Sequence, residues 1–204
     1  MPHDPPPSLL DAARRGDRGA LGQLLRHHEP RLYHVCLRMV GQRDDAAELT
    51  QDTLLKTIQH LDDFRGDAQL STWMTRIAIN LCLSHLRKRK VRHAASLDQT
   101  PAADRPAPPA AAFLADHREP PPDSRVQNRE AHDQLQLALQ QLDPDHRAVL
   151  LLRDLQQLDY AQIGEALDCP VGTVKSRLFR ARLKLREALT HPSPHTTPAP
   201  STPA

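Results

Sequence analysis

Thr173, Lys175, Ser176, Arg177, Phe179 and Arg180 crowd into the eight-residue stretch TVKSRLFR. None of them is paired with a general base in a way that would activate it for covalent chemistry. They are cations, hydroxyls and one ring, a set that reads a polymer rather than transforming a substrate: Arg and Lys meet phosphate oxygens or base edges, and Ser and Thr bond to either. Positions 173–189 hold six Lys or Arg against the single acid Glu187, although the whole chain has a formal net charge of only +2. Charge concentrated in this way matches a polyanion.

To present those groups, the segment must be a helix with its apolar stripe turned inward. At about 100° per residue, Val174, Leu178, Ala181 and Leu185 cluster on one side, with Ser176, Phe179 and Arg180 opposite them. Lys175 and Arg177 flank the reading face, and Arg182, Lys184 and Arg186 carry positive charge toward the carboxyl end. Upstream, DYAQ offers a capping box between Asp159 and Gln162 that opens a short helix ending by LDCPVG. Gly164 stands where a close crossing of two helices needs a small side chain. A capped short helix, a tight turn and a longer basic helix form a helix-turn-helix pattern, whose second helix enters the major groove of DNA. A basic amphipathic helix lying on a membrane or in a partner's groove is the alternative reading of α-helical charge alone.

Proline sets the domain organisation. Sixteen of the nineteen prolines precede Ser8, lie between Pro101 and Pro122, or follow His191. Proline removes a backbone donor and fixes φ, so these runs are neither helix interiors nor central strands. The expected layout is a tail over 1–8, a helical domain over 9–93, a flexible Pro-rich linker over 94–128, a second helical domain over 129–191 and a tail over 192–204. The fold class is all-α, because β-branched and aromatic residues are sparse and nowhere alternate with period two. Helices are expected near Ser8–Gly16, from Asp17 toward Glu29, from Pro30 to Gly41, and over Asp44–His60 and Gln69–Lys90. In the second half they fall near Val126–Gln141, Asp145–Asp154, Asp159–Leu167 and Val171–Thr190.

Several function classes are excluded by composition. No window holds about eighteen uninterrupted apolar residues, and the N-terminus lacks a basic start with an apolar core, so a cytoplasmic location is expected. Cys36, Cys82 and Cys169 form no C-x-x-C pair and read as buried small apolar residues. The twelve histidines offer no convergent set: His191 and His195 have helical spacing, but Pro192 and Pro194 forbid that helix. No metal, cofactor, small-molecule substrate or catalytic residue is expected, and no Gly-rich phosphate loop or nucleophile elbow is present.

Two segments carry a family resemblance. LDPDHRAVLLLRDLQQLDYAQIGEALDCPVGTVKSRLFRARLKL resembles the −35-reading domain of the extracytoplasmic-function sigma factors of bacterial RNA polymerase, sigma-E-like members included. The match runs through Leu142, Pro144, Arg147, Arg153, Tyr160, Ile163, Gly172 to Arg177, and Arg180 to Arg182. The departures are Asp143 at the usual Leu-Pro start, Asp159 for Ser, Gln162 for Glu and Gly164 for Ala. LDDFRGDAQLSTWMTRIAINLCLSHLRKRK resembles the same family's −10-reading segment at Phe64, Arg65, Gly66, Thr72, Trp73, Arg76, Ile77, Ala78 and Asn80. The resemblance implies −35 contacts from Arg153, Thr173, Lys175, Ser176, Arg177, Phe179 and Arg180. It also implies −10 contacts from Phe64, Arg65, Gly66, Asp67, Thr72, Arg76, Asn80, Arg87 and Lys88, with a flipped base held by the 64–69 loop. Bases swung out of the stack are a common way of reading single strands. Core packing is the competing role for Phe64 and Trp73.

The helix DDAAELTQDTLLKTIQHL has the opposite chemistry. Ala46, Leu49, Thr53 and Thr57 share one face, and Asp45, Glu48 and Asp52 another, with Leu55 at its edge. An acidic stripe repels DNA. The resemblance implies that Glu48, Gln51, Asp52 and Leu55 dock on the clamp coiled coil of the polymerase β′ subunit, with the β flap as a further contact. Many relatives are held inactive by an anti-sigma factor, which makes such a protein a candidate partner. The implied function is a sigma factor that binds core polymerase, directs it to promoters and promotes initiation. A helix-turn-helix regulator that replaces no sigma factor is the alternative, and it leaves the −10-like segment and the acidic helix unexplained.

Overall fold

A computed structural model describes residues 6–97 and 122–190. Among them there are eight α-helices and no strand. The first group comprises α1 (Pro7–Arg14), α2 (Arg18–Val40), α3 (Arg43–Gln59) and α4 (Leu70–Leu97), with one 3-10 turn at Leu61–Asp63. The second comprises α5 (Pro122–Gln140), α6 (Pro144–Asp154), α7 (Tyr160–Ala166) and α8 (Val171–Thr190). Helix thus reaches into the expected linker from both sides, and Pro7 and Ser8 belong to α1. The 98–121 part of the linker, residues 1–5 of the first tail and all of the last lie outside the described residues.

Local chemistry accounts for several helix ends. Asp17 caps α2, its carboxylate accepting from the amides of Gly19 and Ala20 at 2.8 and 3.0 Å. Gly41 ends that helix at φ +79, a left-handed conformation that side chains disfavour. Asp143 caps α6, where Pro144 occupies a first-turn position that needs no amide. Pro30 does not start a helix. It lies inside an unbroken α2, contrary to the sequence expectation. The missing amide costs one hydrogen bond, but Leu24, His28, Leu32, Val35, Cys36 and Met39 keep one buried stripe running through the proline. Burial of that stripe, about 1.5–3 kcal/mol for each large apolar side chain, outweighs the loss.

In the first bundle, α3 turns Ala46, Leu49, Thr53 and Thr57 inward as expected, and Thr50 with them. The threonine hydroxyls donate to carbonyls four residues earlier at 2.6 to 2.8 Å, so burying them leaves no unpaired group. Cys36 and Cys82 are fully buried between α2 and α4, and Cys169 is partly exposed. A hydrogen bond to Cys36, then burial, holds the Cys82 thiol far above its ordinary value, so it is a packing group rather than a nucleophile.

The second bundle carries the helix-turn-helix. The capping box is reciprocal: the Gln162 amide donates to the Asp159 carboxylate at 2.8 Å, and the Asp159 amide donates to the Gln162 side chain at 3.0 Å. The turn closes through Asp168 at φ +49 and the Cys169 amide donating to the Gly164 carbonyl at 2.9 Å. A Cβ added at Gly164 would sit 2.8 Å from the Cys169 carbonyl oxygen. Because that neighbour is backbone, Gly164→Ala must open the turn. The expected cost is about 1–3 kcal/mol, read as a lower thermal midpoint, with weaker binding to duplex DNA in proportion; an unchanged midpoint would contradict the close crossing.

The two bundles also touch, which the sequence did not reveal. The last carbonyls of α2, which helix geometry leaves short of partners, are served by the second bundle, and that of Leu37 also accepts from the Gly41 amide at 2.8 Å. Gln136 donates to the Leu37 carbonyl at 2.7 Å, Gln140 to the Arg38 carbonyl at 3.0 Å, and Arg147 to the Met39 carbonyl. Arg147 is 3% exposed and also donates to the Gln140 side chain (2.7 Å), the Gln140 carbonyl (3.1 Å) and the Leu142 carbonyl (3.0 Å). Burial draws its guanidinium down to about 10, which leaves it charged at neutral pH and attracted to the negative end of α2.

Candidate nucleic-acid interface

On α8 the inward stripe is as expected: Val174, Leu178 and Ala181 are buried and Leu185 is partly so. The opposite face presents Lys175, Ser176, Phe179 and Arg180 to solvent, and Phe179 is 71% exposed. An aromatic ring held outward is costly for a helix with no ligand, because that area stays in water. Thr173 and Arg177 are partly covered. Arg177 lies 3.6 Å from Asp145, and Arg182 pairs with Asp154 at 3.0 Å. Arg180, Lys184 and Arg186 have no ion pair among the described residues, so their charge is open to an anion.

Arg153 serves the scaffold in this arrangement. It donates to the Leu158 carbonyl at 2.7 Å and stacks on Tyr160, its guanidinium carbon 5.4 Å from the ring centroid. Lys175 approaches the same ring at 5.8 Å. Tyr160 therefore ties α6 to α8 through two cations.

The loop after the 3-10 turn divides into a buried support and an exposed tip. Phe64 is 7% exposed and lies 5.4 Å from Trp73, ring to ring, so both belong to the packing beneath the loop. Thr72 is buried as well. Arg65, Gly66 and Asp67 form the exposed tip, and Gly66 has φ +83. On α4, Arg76 is half-buried, whereas Asn80, Arg87 and Lys88 are exposed. Asn80 donates to the Ala166 carbonyl at the end of α7, at 3.1 Å, and Arg87 lies 3.5 Å from Asp145. The face of α4 that carries these groups is thus turned toward the second bundle.

On α3, Glu48, Gln51, Asp52 and Leu55 all face solvent, with Leu55 56% exposed. Asp45 departs from that face. It is held by His85 and Arg89 of α4, each at 3.3 Å. Ile58, one turn beyond Leu55 and 42% exposed, extends the face and was missed in the sequence. Its signal was the i, i+3 spacing from Leu55 on a helix whose buried side was already accounted for.

Comparison with known proteins fits these surfaces. Residues 24–92 match the family model for sigma-70 region 2, and residues 132–185 match that for sigma-70 region 4. The RNA polymerase sigma-H factor of Pseudomonas aeruginosa is 33% identical over 89% of this chain and 92% of its own. The extracytoplasmic-function RNA polymerase sigma factor SigW from Bacillus subtilis is 30% identical over 88% of this chain and 94% of its own. The chain is an extracytoplasmic-function sigma factor. Among solved structures, the sigma factor RpoE of Bartonella quintana, in complex with the anti-sigma factor NepR, superposes with a TM-score of 0.59 at 27% identity. That likeness covers 83% of this chain and 96% of the other. CnrH, in complex with the cytosolic domain of CnrY, has a TM-score of 0.57 at 23% identity and shares the fold.

As a sigma factor, the protein binds core RNA polymerase and directs it to promoter DNA, with region 2 on α2 to α4 and region 4 on α5 to α8. Helix α1 lies outside the matched segment. No helix among the described residues is long and apolar enough to cross a membrane.

Proposed function

We propose that this sigma factor recognises promoters with two separated reading heads and takes no part in bond making or breaking. Region 4 lays α8 in the major groove of the −35 element. Ser176, Phe179 and Arg180 meet base edges there, and Thr173, Lys175 and Arg177 hold phosphates. The observation that carries this reading is the outward Phe179 beside the unpaired Arg180 on a helix whose other side is buried: a ring suited to a thymine methyl next to a fork suited to a guanine. Arg153 supports that helix through Tyr160.

Region 2 reads the −10 element with the tip Arg65, Gly66 and Asp67, with Asn80 and Arg76 alongside and Arg87 and Lys88 on the backbone. Phe64 and Thr72 act from beneath, by packing. Asn80 commits one amide N–H to the Ala166 carbonyl, so freeing its whole hydrogen-bonding edge for a base requires the two regions to part. Glu48, Gln51, Asp52 and Leu55 dock on the polymerase β′ clamp coiled coil, and region 4 meets the β flap. An anti-sigma factor that keeps the regions together is the partner such a closed form suits, by likeness to the complexed sigma factor of Bartonella quintana.

Core polymerase supplied with this protein as its sole sigma factor is expected to give promoter-specific transcripts; no specific transcript from a genomic promoter library would overturn the proposal. Within the −35 contact, Arg180→Ala is expected to cost about 1–3 kcal/mol at one base pair and to relax discrimination there, whereas Arg186→Ala lowers affinity evenly and flattens the salt dependence. Quantitative binding to −35 duplexes at two salt concentrations separates the two effects, and equal losses on all sequences for both variants would contradict the division.

A further inference from the structure

Arg14 is the last residue of α1, and a basic residue at a helix carboxyl end is ordinarily explained by the helix dipole. Its side chain does something else. The guanidinium crosses to the 3-10 turn, donating to the Phe64 carbonyl and, from two nitrogens at 3.4 Å each, to the Leu61 carbonyl. Its central carbon lies 5.6 Å from the centre of the Phe64 ring. One planar group thus grips the first residue of the turn Leu61–Asp63 and the aromatic that caps it.

The exposed tip begins at the next residue. From Arg65 to Ala68, no hydrogen bond anchors the loop among the described residues. It is fixed on one side by the turn that Arg14 holds, and on the other by Gln69, whose carbonyl accepts from the amides of Thr72 and Trp73 at 3.0 and 3.1 Å. Helix α1 is itself seated, with Ala13 buried and Leu9 and Leu10 packed on the core. Gly16, at φ +91, turns the chain back into α2. A strut mounted on a packed helix can set a loop's shape before its ligand arrives, so that less ordering is needed on binding.

We propose that Arg14 is a positioning residue for promoter recognition: it pre-sets the Arg65–Asp67 tip to receive a −10 base. This rests on the reading of that tip as the −10 reader given above. The role lies in α1, outside the segment matched to sigma-70 region 2.

The test uses full-length protein assembled with core polymerase and fork-junction DNAs carrying each of the four bases at every −10 position. Arg14→Ala is expected to reduce the preference for the best base over the others by about 3- to 10-fold at one position, the effect of losing one or two hydrogen bonds' worth of order. Affinity for polymerase and for −35 duplexes stays unchanged. Arg14→Lys, which keeps the charge but not the planar fork, falls between wild type and Arg14→Ala. It decides the matter if the alanine variant melts early. A general loss of folded protein would weaken all bases alike and leave the ratio intact, so an intact ratio in both Arg14 variants overturns the proposal. Asp67→Ala and Asn80→Ala tell two failures apart. If they reduce the ratio while the Arg14 variants do not, the loop reads the base and Arg14 does not position it. If none of the four changes it, the reading of the loop falls as well.

Discussion

Arg147→Ala is expected to lower the stability of the whole protein by about 3–5 kcal/mol, the scale for removing one member of a buried, hydrogen-bonded charge network. The arginine belongs to the resemblance in region 4, yet its partners span both regions: the carbonyls of Met39, Gln140 and Leu142 and the side chain of Gln140. Truncation strips several buried carbonyls at once and leaves a hole that an alanine cannot fill. Trp73 is the single tryptophan of the chain and lies in region 2, so its fluorescence tests the bridge separately from overall helicity. Urea titration should show both the fluorescence and the far-ultraviolet transitions moving to lower denaturant. A shift in the second alone would confine Arg147 to region 4. Arg147→Lys restores the charge but not the fork, and is expected to recover a minor part of the loss.

The second large effect concerns polymerase. The α3 face combines Glu48, Gln51 and Asp52 with Leu55 and Ile58, two exposed apolar side chains beside acids. That is the composition of a docking surface with an apolar centre and a charged rim. Reversing the charge and removing the apolar anchor together, as Asp52→Arg with Leu55→Arg, is expected to weaken binding to core polymerase by at least about 100-fold, or roughly 3 kcal/mol. Both side chains point to solvent, so the thermal midpoint should hold, and binding of −35 duplexes should be unaffected. Competition against another sigma factor for core enzyme measures this directly; wild-type competition by the double variant would remove α3 from the interface.

Much of this was legible in the residues because it depends on short-range geometry. The reciprocal Asp159–Gln162 cap, the buried Val174, Leu178 and Ala181 stripe and the exposed Ser176, Phe179 and Arg180 all follow from a repeat of about 3.6 residues per turn. The acidic face of α3 follows from the same period. Pro30 was misread as a helix start because proline's local penalty is visible in sequence, whereas the buried stripe that offsets it is spread over α2 and its neighbours. Arg14 gave no signal at all, since its carbonyl partners lie 47 and 50 residues away. Phe64 was assigned to base capture by resemblance, with core packing as the alternative, and it is buried against Trp73.

Most of the helices, the caps of α2 and α7, the contrast between basic and acidic faces, and the family were written in the residues. These are properties of neighbours three or four positions apart, where the backbone period alone decides which side chains meet. Only the tertiary structure decided which groups are spent on holding the molecule together. Asn80 bonds to Ala166, Arg147 closes the end of α2 and Arg14 spans the turn at Leu61. Those pairings are set by how packed helices bring distant carbonyls within reach of a donor, and no spacing along the chain encodes that distance.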